Sequence, residues 1–185
     1  MKRCLCLFVL IVFLCGCSKS EDCLNRGMEL RSKLLQSGCS FEAKITADYG
    51  DLIHTFTLQC TADPSGSISF TVSQPETICG ITGTLSAHGG ALTFADTALA
   101  FPVLADGELS PVSSPWIFIN TLRSGYIRSA GDEGGDVRLT IDDSYEEDAL
   151  QLDIWLDGQD LPKHVRILWQ GRSILSMDVC NFTFV

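Results

Sequence analysis

At 185 residues, 45% hydrophobic and 19% charged, the chain is long enough for one domain with a sizeable core. Its formal net charge of −10 at pH 7 argues against nucleic acid as a partner and against electrostatic docking on anionic headgroups.

The N-terminus opens with Lys2 and Arg3, runs apolar from Leu5 to Leu14 and turns polar at Ser18-Lys19-Ser20-Glu21. A basic start, a short apolar run and a small residue before the cut read as a secretory signal peptide. The run falls short of the roughly 20 apolar residues that a spanning helix needs. Leu14-Cys15-Gly16-Cys17 resembles the lipobox of bacterial lipoprotein signals, although Cys15 is an unusual residue before the glycine. That resemblance implies a signal peptide over residues 1–16, lipid attachment at Cys17 and a lipidated tether over residues 17–23. The rest of the chain would then be held at the cell membrane, on its extracytoplasmic face, by two or three acyl chains. A single chain would hold only weakly and reversibly.

Cys4, Cys6 and Cys15 leave with such a signal, and Cys17 takes the lipid. Cys23, Cys39, Cys60, Cys79 and Cys180 remain, in a compartment where disulfides persist. Their number is odd, so at least one stays free or pairs elsewhere. They have neither CxxC spacing nor an adjacent histidine, and no metal site is expected.

A helix is predicted over Leu24 to Gln36, with Leu24, Met28, Arg31 and Leu35 on one face, Leu30 and Leu34 alongside, and Gly38 as its stop. The period then changes to two. Phe41, Ala43, Ile45 and Ala47 alternate with polar residues, and Leu52, His54, Phe56, Leu58 and Cys60 resume the alternation after Tyr49-Gly50. A two-residue turn there pairs Ala47 with Leu52, Ile45 with His54, Ala43 with Phe56, Phe41 with Leu58 and Cys39 with Cys60. The last pair falls at a non-hydrogen-bonded position, where side chains approach most closely, which predicts a Cys39–Cys60 disulfide.

Asp63-Pro64-Ser65-Gly66 reads as a turn, followed by strands at Ile68–Val72, Ile78–Ala87, Leu92–Phe94 and Leu99–Phe101, and a loop over 104–114. Ser114 as N-cap and Pro115 in the first turn open a second helix carrying Trp116, Phe118, Ile119, Leu122 and Arg123, with Gly125 to end it. Strands return at Val137–Ile141, Leu150–Leu156, Val165–Trp169 and Ile174–Phe184. The acidic run Asp142–Asp148 lacks the spaced ligands of a calcium loop and reads as a solvated connection. His54, His88 and His164 stand far apart in sequence, and no nucleotide, hydrolase or zinc-protease motif occurs. Neither a cofactor nor enzymatic activity is expected.

The plan is α+β and mainly antiparallel: a curled sheet of about nine to ten strands with two helices as lid or plug, in one domain over residues 24–185. That order resembles the LolA/LolB-like lipoprotein-carrier fold, which implies that the sheet is a curled, half-open barrel. The closing segments Leu161-Pro162-Lys163-His164-Val165-Arg166-Ile167 and Asn181-Phe182-Thr183-Phe184 share in the resemblance. It implies a non-enzymatic binder of an apolar ligand, a lipid or acyl group, held between sheet and helices by Trp116, Phe118, Ile119 and Leu122. The periplasmic carrier of that class is not lipidated, so the lipobox points to a tethered binder rather than a shuttle. The other reading is a protein-interaction or envelope-structural module whose own side chains fill the interior.

Overall fold

The computed structural model describes residues 2–48, 50, 53–94, 97–101, 104–105 and 108–185. Helix α1 (Lys2–Gln36) leads into a meander of β1 (Cys39–Asp48), β2 (Ile53–Ala62), β3 (Ile68–Gln74), β4 (Thr82–Ser86), β5 (Gly89–Phe94) and β6 (Thr97–Phe101). A ribbon of β7 (Leu104–Ala105) and β8 (Glu108–Leu109) precedes helix α2 (Ser114–Ser124). A second meander follows: β9 (Tyr126–Glu133), β10 (Asp136–Asp142), β11 (Gln151–Leu156), β12 (Pro162–Trp169) and β13 (Arg172–Phe184).

Among the described residues, eleven strands form one antiparallel sheet in the order β6-β5-β4-β3-β2-β1-β13-β12-β11-β10-β9, the two meanders joining where β13 pairs with β1. β6 and β9 are its edges, so the sheet is open. α2 packs against both β2 and β10, which stand well apart in that order, so the sheet curls around the helix. This is the curled sheet that the alternation implied and the half-open form that the resemblance implied, with more strands than expected. β9 escaped the sequence reading because Tyr126-Ile127-Arg128-Ser129-Ala130 has no clean alternation. It is an edge strand whose inner side is covered by α1, not by a second strand layer.

Three local expectations are corrected. The predicted tether over 17–23 is part of α1, which runs unbroken from Lys2. The buried stripe of α1 is Cys23, Gly27, Leu30 and Leu34, while Leu24, Met28 and Leu35 are exposed. Gly27 is needed there, because an added Cβ would sit 2.9 Å from the Leu139 side chain. The β1–β2 hairpin pairs Ala47 with His54 and Asp48 with Ile53, a register two residues away from the expected one. Four residues separate the strands instead of two, and the Asp48 carboxylate accepts the Gly50 N–H at 2.8 Å. Tyr49, Asp51 and Leu52 lie outside the described residues. A shift of two leaves every inward side chain facing inward, which is why the alternation alone did not discriminate.

The helices meet at their C-termini through two arginines. Arg31 of α1 donates to the carbonyls of Leu122 (2.6 Å) and Gly125 (2.8 Å) at the end of α2. Arg123 of α2 donates to the Leu34 carbonyl (3.0 Å) at the end of α1. These are the carbonyls that a helix end leaves without intrahelical partners. Burial lowers the Arg31 pKa, the cost of placing a cation between two packed helices. Gly125 then turns sharply into β9; a Cβ there would meet the Asp142 carbonyl, the Ile141 side chain and the Thr121 carbonyl, all at 2.7 Å. Replacing Arg31 with Met keeps the aliphatic stem and strips both carbonyls of a charged donor. The variant is expected to lose about 2–3 kcal/mol in urea unfolding, and Lys, without the planar fork, to recover only part of it.

Candidate functional site

Of the side chains expected to line a ligand cavity, three lie in the core and Trp116 packs against it. Phe118, Ile119 and Leu122 are at most 2% exposed. The Phe118 ring meets Phe41 of β1 edge-on at 5.8 Å, and Phe41 stacks on Phe182 of β13 at 5.7 Å. Trp116 is half-buried at the start of α2, and its indole N–H donates to the Gly66 carbonyl at 2.9 Å. It therefore straps α2 to the β2–β3 turn. Asp63 shapes that turn by accepting the Ser65 hydroxyl at 2.5 Å and the Ser67 hydroxyl, which above all hold its carboxyl down to about 2, and the Ser65 N–H at 2.7 Å adds to this. Ser114, expected as the N-cap, is the first helical residue, and its hydroxyl donates back to the Pro111 carbonyl at 2.7 Å.

The expected Cys39–Cys60 disulfide is likewise corrected. The observed register sets Cys39 against Ala62 and Cys60 against Phe41, and both thiols are free and buried. Burial pushes the Cys39 thiol up to about 11, against the pull of Arg123, and raises Cys60 further with the help of Cys39. Neutral thiols this far from ionisation pack as small hydrophobes. Cys79 and Cys180 are exposed. Of Cys23, Cys39, Cys60, Cys79 and Cys180, only Cys79 and Cys180 should react with iodoacetamide in the folded protein, all five reacting after denaturation. Peptide mapping by mass spectrometry reads this directly.

Polar character is concentrated on the outer face of the sheet, in two regions. On β1–β5 a groove of about 550 Å³ is floored by two rows that cross the strands. One row runs Glu42, Gln59, Thr71, Thr82 and Thr93; the other runs Ser40, Thr61, Ser69 and Thr84. Each pair of neighbours sits directly opposite in the ladder, so hydroxyls and amides tile the surface. Gln59 donates to Glu42, the single carboxylate in the groove, and Ser40 bonds Thr183 at 2.9 Å. Sequence reading passed over these residues as the wet half of an alternation. The signal was there, in the near absence of Lys, Arg and Asp from those outward positions.

On β10–β12 the outer face carries a charged clasp. Asp153, 3% exposed, accepts from Arg138 at 2.8 Å, Arg166 at 3.2 Å and the Thr140 hydroxyl at 2.9 Å. The two guanidiniums also lie over the Trp155 ring, at 5.2 and 4.8 Å from its centre. The carboxylate is fully compensated, and the stacking fixes both arginines, so the clasp stiffens the outer face.

The histidines do not form a common site: His54 and His88 are exposed, and His164 pairs with Asp178 at 2.7 Å. Among the described residues no cluster of three or more metal-ligating side chains occurs. In the acidic loop, the Asp143 carboxylate accepts the Leu150 N–H at 2.9 Å and closes the turn, while Tyr145 is exposed. Burial, with Asp142 nearby, raises the Asp143 pKa. A raised pKa in the folded state means that ionisation at neutral pH costs stability, a cost relieved as pH falls through the raised value. Asn at this position keeps the acceptor without the charge. Asp143→Asn should therefore be at least as stable as the parent at pH 7, with any advantage vanishing at or below the ordinary carboxylate range, as read by thermal melts across pH.

No family model and no curated protein matches the chain. Its fold is similar to that of several solved structures. A DUF1329 family protein from Desulfovibrio piger is 8% identical, with 90% of this chain and 93% of that one covered and a TM-score of 0.49. A LolA superfamily protein from Nitrosomonas europaea is 6% identical, with 86% and 93% covered and a TM-score of 0.48. Lipoprotein LppX from Mycobacterium tuberculosis is 10% identical, with 84% and 92% covered and a TM-score of 0.37. Likeness at such identities carries nothing about activity.

Proposed function

We propose that this chain is a lipid-anchored, non-enzymatic module of the bacterial cell envelope that binds a protein partner through the hydroxyl-lined groove on the outer face of β1–β5. The observation that carries this reading is the filled interior. A carrier of the LolA/LolB type needs apolar space between sheet and helices, and the burial of Phe118, Ile119 and Leu122 in one continuous core supports packing rather than an open cavity there. With the inside committed to packing, recognition falls to the outside. There the groove offers many hydrogen-bonding groups, one carboxylate and no large exposed aromatic, which suits a polar protein segment better than a lipid or a stacked sugar ring. The lipid anchor rests on Cys17 and its lipobox.

A photoreactive amino acid at Thr61 or Thr84, in the full chain made in a bacterial host, tests the reading. Irradiation should yield a discrete cross-linked protein. Introducing Thr71→Arg with Thr82→Arg on these exposed positions should cut that yield about tenfold while leaving the melting temperature unchanged, a loss of roughly 1.4 kcal/mol in binding. The same preparation is extracted for lipid. Stoichiometric non-covalent acyl lipid without any cross-link would overturn the proposal in favour of the carrier reading.

A further inference from the structure

α1 has two apolar faces, and the fold uses one. Cys23, Gly27, Leu30 and Leu34 pack inward, whereas Leu24, Met28 and Leu35 remain 39%, 46% and 57% exposed. Cys17, Leu24, Met28 and Leu35 are spaced by seven, four and seven residues. At 3.6 residues per turn they fall within about 40° of one another, along about 27 Å of helix. By helical spacing alone, position 17 thus falls on the same face of α1 as the stripe that the domain leaves uncovered.

The fold takes hold of the helix almost at once after Cys17. The Ser20 hydroxyl donates to the Ala130 carbonyl of β9 at 3.0 Å, Cys23 is buried, and Arg26 pairs with Asp160 in the β11–β12 turn. Ser20 is three residue steps from Cys17, about 10 Å even if fully extended. An acyl group on Cys17 therefore cannot act as a long leash.

We infer that the Leu24–Met28–Leu35 face of α1 lies on the headgroup layer of the same membrane that holds the Cys17 lipid, as a second, non-covalent contact. This rests on the acylation in the reading above and goes beyond it by assigning the surface that faces the bilayer. Beside the stripe stand Glu21, Asn25 and Ser32 on one flank, and on the other Arg31, whose guanidinium is spent on α2. With no free cation beside it among these residues, the contact is apolar in kind and insensitive to salt. α1 packs along β9, at the opposite edge of the sheet from β2–β5, so this placement leaves the groove clear of the bilayer.

The test uses the full chain matured in a bacterial host, purified from membranes and reconstituted into phosphatidylcholine vesicles. Cys79→Ser and Cys180→Ser remove the reactive thiols, and Met28→Cys or Tyr145→Cys carries a nitroxide. Mass spectrometry first establishes acylation. Collision with a water-soluble nickel chelate should be about threefold or more weaker at position 28 than at position 145, with oxygen collisions stronger, at low and high salt alike. A label at Leu35→Cys should share that protection and lose it when Leu24→Glu and Met28→Glu are added, the melting temperature holding. Acylated protein with equal nickel access at 28 and 145 overturns this inference alone. Protein cut elsewhere and carrying no acyl mass overturns the anchor and this inference together.

Discussion

Two helices that end beside each other inside a curled sheet pose an electrostatic problem, and the Arg31–Arg123 exchange solves it. A helix C-terminus carries a partial negative charge and carbonyls without partners. Here two such ends are brought together in a part-buried contact, which would otherwise be repulsive and unsatisfied. Each arginine comes from one helix and serves the other, so neither helix can leave without exposing its partner's carbonyls. Both meanders start from this junction, β1 just past Gly38 and β9 just past Gly125. The Val185 N–H returns to the Gly38 carbonyl at 3.0 Å, so the end of the chain is fixed there as well.

Once the junction is set, the interior has little freedom left. α2 is short, and its apolar residues face β1, β2 and β10 from the inside of the curl. Phe118 reaches Phe41 on the first strand and, through it, Phe182 near the last. A ring at the contact of both meanders and a helix contributes several kcal/mol through packing that no smaller side chain reproduces. The same ring closes the core between helix and sheet. The sequence of α2, rich in large apolar residues, is equally compatible with a filled core and with an open cavity. What separates them is how closely the sheet curls, and that depends on contacts between residues more than a hundred positions apart.

Much of the architecture was legible from period alone: the two helices, most of the strands, the antiparallel order and the curl. What was not legible has identifiable physical causes. The β1–β2 register differs by an even number, to which a period-two pattern is blind, and with it went the apposition of Cys39 and Cys60. The face of α1 was misjudged because Leu24, Met28 and Leu35 are as apolar as Leu30 and Leu34. Gly27 and Cys23, which mark the buried side by allowing close approach, look unremarkable in sequence. Of the candidate site, the apolar character of Trp116, Phe118, Ile119 and Leu122 was plain in the sequence, but the groove was not seen. Its residues are ordinary strand residues one at a time, and only cross-strand pairing aligns them into rows.

The sheet shows a consistent division between its faces. Its inner face is uniform and apolar, so it specifies curl and filling. Its outer face is split: uncharged hydroxyls over β1–β5, and compensated charge with a stacked tryptophan over β10–β12. That split follows from the two neighbourhoods. β9 is an open edge close to the start of the fold, and such an edge invites pairing with another chain unless it is blunted. Arg128, Asp132 and Glu133 on β9 supply charge, α1 covers its inner side, and the Asp153 clasp on the strands behind stiffens the region against unravelling. The β1–β5 outer face lies in the middle of a ladder or near its other end and carries almost none of that protection. A surface left polar but nearly uncharged, concave and hydrogen-bond-rich is one that stays soluble without repelling what approaches it, and among the described residues the groove is such a surface.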